Sequence, residues 1–516
     1  MKNLGKFVLN GLTMTLCSIL MRAVAVGFNI YVAKTAGAEA VGLYSLLSGV
    51  FGFAVTLALS GIHLAVTKLV AETLALNNRA EVSSIMKKAF TYAVLFGAFS
   101  AFLLFSLSDS LATHWLGDPR ALKPLRILSI CLPLISVSSV INGYFSAVRR
   151  VFKSAVSQLV EMTIKITATV TLFTIIFADN AELACILLVC GSAFSEVCIF
   201  TVNIILYLSD RLIHFKKCAP FSTSPIKPSK PYSILGISLP VALTSYVRSA
   251  LLSLEHSLIP KGLQKYGADR SGALSSYGTL SSMALPVINF PYALIGSFAS
   301  LLIPEVAECH AKGEKRHLRY IAYRTYQTGI AFSVCAFGIF FAFAPSFGEL
   351  LYSSAEAARY IKLLAPLVPI MYIDSMTDAI LKGMGEQLYS MKVNIADACL
   401  SVILVYFLVP IYGIYGYIAT IFIAEIINAS FSIARMIKKS SLRPPMLKFL
   451  ICPLLCTAGA ASVCNIIRNT AISADSIAGL IICIIIYITV YLLCLFSLGG
   501  ISKDDTLWLK TIFSKK

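Results

Sequence analysis

Arg22 and Arg248 each interrupt an apolar run long enough to cross a membrane. A guanidinium at that depth is costly and is kept where it faces a cavity or a partner. Two such groups on a common cavity would grip a phosphate or diphosphate, because their planar forks match phosphate oxygens. The other reading is structural: each arginine is neutralised by an internal carboxylate. Lys165 follows Glu161 by four residues, one turn along the same helix face. That spacing gives either a mutually neutralised pair lining the cavity or a third substrate contact through Lys165. Glu196, Glu255, Asp374, Asp378, Asp397 and Glu425 also fall within or near apolar runs. With Glu161, they are candidates for pairing with the basic groups or for binding a proton or sodium ion. His63 and His256 read as hydrogen-bonded structural residues or as proton relays.

The chemistry that would make an enzyme is missing. There is no C-x-x-C pair, and Cys452, Cys456 and Cys464 have no histidine at ligand spacing, so no metal is expected. No GxxxxGK[ST], H-E-x-x-H or G-x-S-x-G motif occurs, and no long hydrophilic loop could house a hydrolase or transferase site. No catalytic residue and no cofactor is therefore expected. An ion gradient or the membrane potential would be the driving force.

The elements that must hold these residues follow from composition. The chain has 516 residues, 58% hydrophobic and 13% charged, with a mean hydropathy of +0.82. A soluble domain is less apolar and about twice as charged, so the excess has to be buried in lipid. Runs of about 20 apolar residues recur as Val8–Val32 and Val41–Leu64 through Ala273–Ile303, Ile321–Ala344 and Ile361–Ile380 to Ile477–Leu498. They predict an all-α integral membrane protein of about fourteen helices. Lys2 and Lys6 before the first run mimic a leader, but the run reads as an uncleaved first span.

The net charge of +18 reads as Lys and Arg held in cytoplasmic loops beside anionic lipid, with no nucleic acid as partner. With the N-terminus inside, alternate loops place roughly 30 basic residues on the cytoplasmic side and roughly 10 outside. Both termini are then cytoplasmic, in a multi-pass protein of a bacterial plasma membrane.

The chain also repeats itself. AVTKLVAE (Ala65–Glu72) aligns with LLIPEVAE (Leu301–Glu308), an offset of 301 − 65 = 236. Pro133 then falls on Pro369, Asn142 on Asp378, Ser154 on Ser390 and Glu161 on Asp397 at the same offset. Six helices, an even number, precede the second copy, so the copies share one membrane orientation. Parallel repeats of this kind are two lobes related by a pseudo-two-fold axis, able to rock around a central cavity. The expected domains are an N-lobe (1–209), a basic cytoplasmic linker (210–232), a C-lobe (233–436) and two extra helices with a tail (437–516).

At GLYSLLSG (Gly42–Gly49), SGIHLAVTKLVAE (Ser60–Glu72) and NGYFSAVRRVFKSAVSQLVE (Asn142–Glu161), the chain resembles the stage V sporulation protein B group. That group lies in the polysaccharide-exporter branch of the multidrug/oligosaccharidyl-lipid/polysaccharide (MOP) flippase superfamily and is related to the lipid II flippases. The resemblance implies a fourteen-helix, two-lobed carrier of lipid-linked saccharides. It also implies an arginine of the first helix near the substrate diphosphate, which Arg22 fits, and a groove for the polyprenyl tail beside the last two helices. Those flippases usually carry an arginine in the second helix; no Arg or Lys lies between Val41 and Leu64 here.

The expected function is alternating-access export of a polyprenyl-diphosphate-linked saccharide. A peptidoglycan precursor such as lipid II would be the cargo, for cell-wall or spore-cortex synthesis. Its partners would be the lipid-linked saccharide, membrane lipids and cell-wall synthases. A cation-coupled multidrug exporter of the same fold and a non-transporting scaffold for wall synthesis are the rival readings.

Overall fold

The computed structural model describes residues 2–75, 79–148, 150–176, 180–215, 234–440, 446–470 and 476–498, all of them helical or in short turns. Most of the linker, and Arg443, Pro444 and Pro445 between the C-lobe and the two extra helices, lie outside the described residues. Six long helices come first: α1 (Lys2–Leu59), α2 (Ile62–Ala75), α3 (Arg79–Ser110), α4 (Leu122–Ala147), α5 (Val151–Ile175) and α6 (Ala181–Phe215). Next are α7 (Ile234–Tyr266), α8 (Arg270–Gly278), α9 (Leu285–Asn289), α10 (Tyr292–Ala311), α11 (Lys315–Ser346) and α12 (Ala355–Leu364). The last five are α13 (Val368–Gly383), α14 (Gln387–Tyr412), α15 (Ile414–Ser440), α16 (Met446–Thr470) and α17 (Ile477–Ser497).

Among the described residues, 11 segments are long and apolar enough to cross a membrane. The first, Leu20–Leu74, has 55 residues and room for two crossings. The two runs expected as separate first helices, Val8–Val32 and Val41–Leu64, lie on either side of Gly37 of α1, and the non-helical φ 79° and ψ 163° of Gly37 interrupt the helix there, a conformation a side chain would disfavour. The run Ala273–Ile303 is not one helix either. It breaks into α8, a wide-turn segment at Thr279–Ala284, α9 and α10, with Pro286 and Pro291 at the starts of the last two pieces. At the linker, α6 runs five residues past Asp210, and Asp210 is fully buried rather than the start of a polar loop.

The repeat reappears in the bounds of the elements. At an offset of 236, the ends of α2 and α10, the whole of α3 and α11, the ends of α4 and α13 and the starts of α5 and α14 coincide. Even the wide-turn segments that follow α3 (Leu111–Trp115) and α11 (Phe347–Leu351) coincide. Ser154 Oγ donates to Asn142 Oδ1 at 3.0 Å, and Ser390 Oγ donates to Asp378 Oδ1, so one tie joins the same positions in both copies.

Packing divides the chain differently from the repeat. One compact unit comprises 1–34 with 279–516, the other 35–278. This cuts across the expected lobes of 1–209 and 233–436, and the reason is local. In the 35–278 unit, Thr56 Oγ1 donates to Ser249 Oγ at 3.1 Å and Ser60 bonds to Tyr246, tying α7 to the second half of α1. In the other unit, Lys34 Nζ donates to the Leu350 carbonyl at 3.0 Å. The core of the 35–278 unit joins Ile62, Val66 and Val70 of α2 to Met86 of α3, Tyr144 of α4 and Tyr207 of α6. The other unit has one core around Val306, Tyr326, Ile380 and Met436. A second packs α16 and α17 on α11 through Phe343, Cys456, Ala460 and Tyr487. Against lipid tails as apolar as the side chains, these contacts stabilise by close packing rather than by exclusion of water.

Candidate functional site

Arg22 lies on the first half of α1, exposed, and its Nη1 donates to the Asn289 carbonyl at 3.3 Å. Asn289 ends α9, where the helix break leaves carbonyls without partners in the next turn, and a cation there is favoured by the local dipole. Tyr372 donates to the neighbouring Ile288 carbonyl at 3.4 Å, and Tyr292 donates to Ser375 Oγ at 2.9 Å, so the broken helix is pinned to α13. Arg22 is thus held by the backbone of a discontinuous helix, through a contact that involves no carboxylate.

One turn from Arg22, Val26 lines an apolar cavity of about 660 Å³. Its walls are the α9–α10 break, one face of α11 and, on α17, Ile484, Ile488 and Leu492. Tyr491 donates to the Ala331 carbonyl at 2.7 Å and fixes α17 against α11 along the cavity. Of the two last helices that the family resemblance implies beside a groove, α17 lines this cavity. Its lining is apolar except toward Arg324, Gln327 and Thr328.

In the same unit, α13, α14 and α15 gather four of the acidic candidates. Asp374 Oδ2 accepts from Asn428 Nδ2 at 3.1 Å, while Asp374 Oδ1 and Asn428 Oδ1 are buried without a hydrogen-bond partner. Asp397 and Glu425 lie within electrostatic range of Asp374. Asp378 is engaged separately, by Lys382 at 2.6 Å and by Ser390.

The 35–278 unit holds the others. Lys165 Nζ donates to Tyr44 Oη at 3.5 Å, and Tyr44 Oη lies 3.4 Å from Ser192 Oγ. Glu161 and Glu196 are within electrostatic range of Lys165 and of each other. Glu255 is buried in α7, and beside it His256 Nδ1 lies 2.7 Å from the Tyr277 hydroxyl, an anchored structural position. Arg248 is exposed on α7, and His63 is exposed on α2.

Of the residues singled out by type, the structure collects Asp374, Asp397 and Glu425 into one cluster and Glu161, Lys165 and Glu196 into another. It leaves Asp378 in a local tie and Arg22 on a backbone carbonyl. Sequence reasoning passed over Arg324, Asn428 and Tyr44. Arg324 carried a readable signal, a charge three residues into the run Ile321–Ala344; the other two are ordinary polar residues whose role is visible only in three dimensions.

Comparison with known proteins is consistent with this geometry. The family described as polysaccharide biosynthesis protein matches residues 7–292, and the MatE family matches 271–407. Stage V sporulation protein B of Bacillus subtilis (strain 168) is 26% identical over 75% of this chain and 75% of its own length. The lipid II flippase MurJ of the same organism is 21% identical over 75% and 73%. A solved structure of lipid II flippase MurJ in an inward closed conformation has a TM-score of 0.71 at 13% identity, covering 94% of this chain and 98% of its own. An inward-facing multidrug resistance MATE transporter of the MOP superfamily has 0.63 at 15%, covering 82% and 96%.

Proposed function

The chain belongs to the polysaccharide biosynthesis protein family, and on that footing we propose that it is a flippase for a polyprenyl-diphosphate-linked saccharide, a peptidoglycan precursor such as lipid II. The observation that carries this reading is the apolar groove with Arg22 one turn from its Val26 wall. A long chain can lie in the groove without leaving an apolar environment. The guanidinium beside it offers charge-assisted hydrogen bonds to phosphate oxygens.

Arg22 is assigned to the diphosphate, with Arg248 and Lys165 as further contacts. Substrate would exchange the Asn289 carbonyl for a phosphate oxygen at Arg22, a gain available only to an anionic headgroup. Asp374, Asp397, Glu425 and Asn428 are assigned to coupling: Asp374 Oδ1 and Asn428 Oδ1 are buried without a hydrogen-bond partner, and a proton or a monovalent cation drawn down its gradient would satisfy them. This same cluster is what favours the second reading, a cation-coupled exporter of drug-like cations.

Externalisation of lipid II in cells depleted of their own flippase tests the assignment, with an added enzyme that cleaves only outward-facing lipid II. Wild type is expected to restore cleavage, and the Arg22→Ala, Arg248→Ala double variant to lose it. Full cleavage by the double variant would sink the role of the arginines. No cleavage by folded, membrane-inserted wild type would move the reading to another lipid-linked glycan or to the drug exporter.

A further inference from the structure

We infer that an apolar pocket between the second half of α1, α3 and α7 takes one acyl chain of an outer-leaflet phosphatidylglycerol, with the Lys261 ammonium on its phosphate. The site lies wholly in the 35–278 unit and shares no residue with the cavity beside Arg22. It does not depend on which cargo the protein carries.

The pocket has a volume of about 250 Å³ and an apolar lining broken only by two serines, of which Ser100 donates to the Ala54 carbonyl at 2.7 Å. Its α3 wall runs from Ser100 to Leu111 and on to Trp115. Ser100 to Leu111 is 111 − 100 = 11 residues, roughly 16 Å at about 1.5 Å per residue. That is the depth of one leaflet, about half of a 30 Å hydrocarbon core. A phospholipid acyl chain fits this length, and a polyprenyl chain outruns it. Leu107 on the α3 wall is exposed, so the pocket has an open side. Trp115 stands at the end of α3, where an indole marks the headgroup level. The other end of α3 carries Arg79, Lys87 and Lys88, a charge distribution that sets Trp115 toward the outer leaflet.

A cation is placed at that same end. Ala250 lines the pocket from α7, and Lys261 follows it by 261 − 250 = 11 residues, three turns along one helix face. Lys261 Nζ donates to the His114 carbonyl at 3.0 Å, and a Cβ on Gly117 would stand 3.9 Å from its Cε, so the side chain lies along the turn that carries Trp115. Acidic side chains at this end are engaged elsewhere. Asp118 takes Arg120 at 2.9 Å and Arg270 at 3.1 Å, and Glu39 takes Arg120 at 2.9 Å. Glu182 takes Lys123 at 3.3 Å, and Asp269 Oδ1 accepts from the Gly272 amide at 3.3 Å. Asp109, two residues from both Leu107 and Leu111, is on the face of α3 opposite the pocket. Lys261 therefore rests on a neutral carbonyl, with Lys265 as a like-charged neighbour in range. A lipid phosphate replaces that bond with a charge-assisted one, while the acyl chain below it fills the pocket.

The test is native mass spectrometry of the purified full-length protein with three probes: phosphatidylglycerol, phosphatidylethanolamine with the same chains and a polyprenyl diphosphate. Wild type is expected to hold phosphatidylglycerol about tenfold more tightly than phosphatidylethanolamine, the size of one charge-assisted hydrogen bond. Lys261→Gln should bring that ratio close to one with both lipids still bound, and Lys261→Arg should keep most of it. Leu107→Trp, which places bulk in the pocket from an exposed position, should weaken both phospholipids and leave their ratio unchanged. Thermal midpoints of the lipid-free variants separate misfolding from lost binding. An unchanged ratio in Lys261→Gln, or unchanged retention in Leu107→Trp, overturns the inference. So does a polyprenyl diphosphate that displaces phosphatidylglycerol from wild type and not from Lys261→Gln, since the site would then belong to that lipid class.

Discussion

Gly42 has no room for a side chain. A Cβ there would lie 2.0 Å from the Leu274 carbonyl oxygen, and one on Gly278 would lie 2.3 Å from the Ala38 oxygen and 2.6 Å from the Gly42 nitrogen. The two glycines let the backbones of α1 and α8 touch, as small residues do where membrane helices cross closely. Two turns on, Gly49 faces the His256 Cβ at 3.0 Å. The glycines that begin and end GLYSLLSG are therefore the seats of α8 and α7 on α1. Read as sequence, they mark only a resemblance, because their partners lie more than 200 residues away. The obstacles differ in kind: Gly42 meets backbone, which moves only if the helices part, whereas Gly49 meets one side chain. Gly42→Ala should cost about 1–3 kcal/mol by overpacking and lower the thermal midpoint in detergent more than Gly49→Ala does. Equal midpoints for the two variants would mean that α1 and α8 are not in backbone contact.

Two helix pairs are fastened by the same clasp with its charges exchanged. Arg150, one residue before α5, pairs with Asp210 near the end of α6, where Lys153 at 2.6 Å and the Tyr144 hydroxyl at 3.0 Å complete the shell of a fully buried carboxylate. At the equivalent repeat position, one residue before α14, stands Glu386, which takes Arg435 and Lys439 from the end of α15, each at 2.6 Å. From composition, the chain from Asp210 onward reads as a basic loop. The helices continue because each charge finds its partner on a neighbouring helix, roughly 50–60 residues away in the chain, beyond the reach of any local pattern. The hydrogen bonds from Lys439 and Arg435 hold the Glu386 carboxyl below its ordinary value of 4.5. Its contribution to stability is complete above about pH 4.5 and is lost as the pH falls through the lowered value. Because Arg435 and Lys439 are 28% and 46% exposed, screening keeps that contribution small. Between about pH 6 and pH 3, the thermal midpoint of wild type should fall further than that of Glu386→Gln, with the gap narrowing in about 1 M salt. Parallel curves for the two proteins would show that the clasp holds no net stability.

At the scale of the whole chain, the repeat was legible because an offset survives in element lengths even where residues diverge: α3 and α11 begin and end in register although few of their side chains agree. The apolar runs likewise marked where the membrane is crossed. They could not show that the run at 273–303 is broken, since a helix and its interruption by π-type and capped segments share one hydropathy, nor which carboxylates meet. Orientation is a further property carried by the whole sequence, through the excess of Lys and Arg on alternate turns. In the unit that contains α11, the turn before that helix lies among Lys312, Lys315, Arg316 and Arg319, while the turn at Ser353 is flanked by no basic residue closer than Arg359. The charge distribution therefore predicts Glu314 on the cytoplasmic side and Ser353 on the outer side. With single cysteines introduced at these exposed positions, a membrane-impermeant maleimide should label Ser353→Cys in intact cells. Glu314→Cys should react only after permeabilisation, both measured over the background of the parent's own cysteines. The reverse pattern would turn the protein over and put the Arg324 end of the groove on the outer leaflet. Labelling of both positions from outside would mean that α11 does not cross the membrane, and the groove beside it could not serve a lipid that spans from one leaflet toward the other.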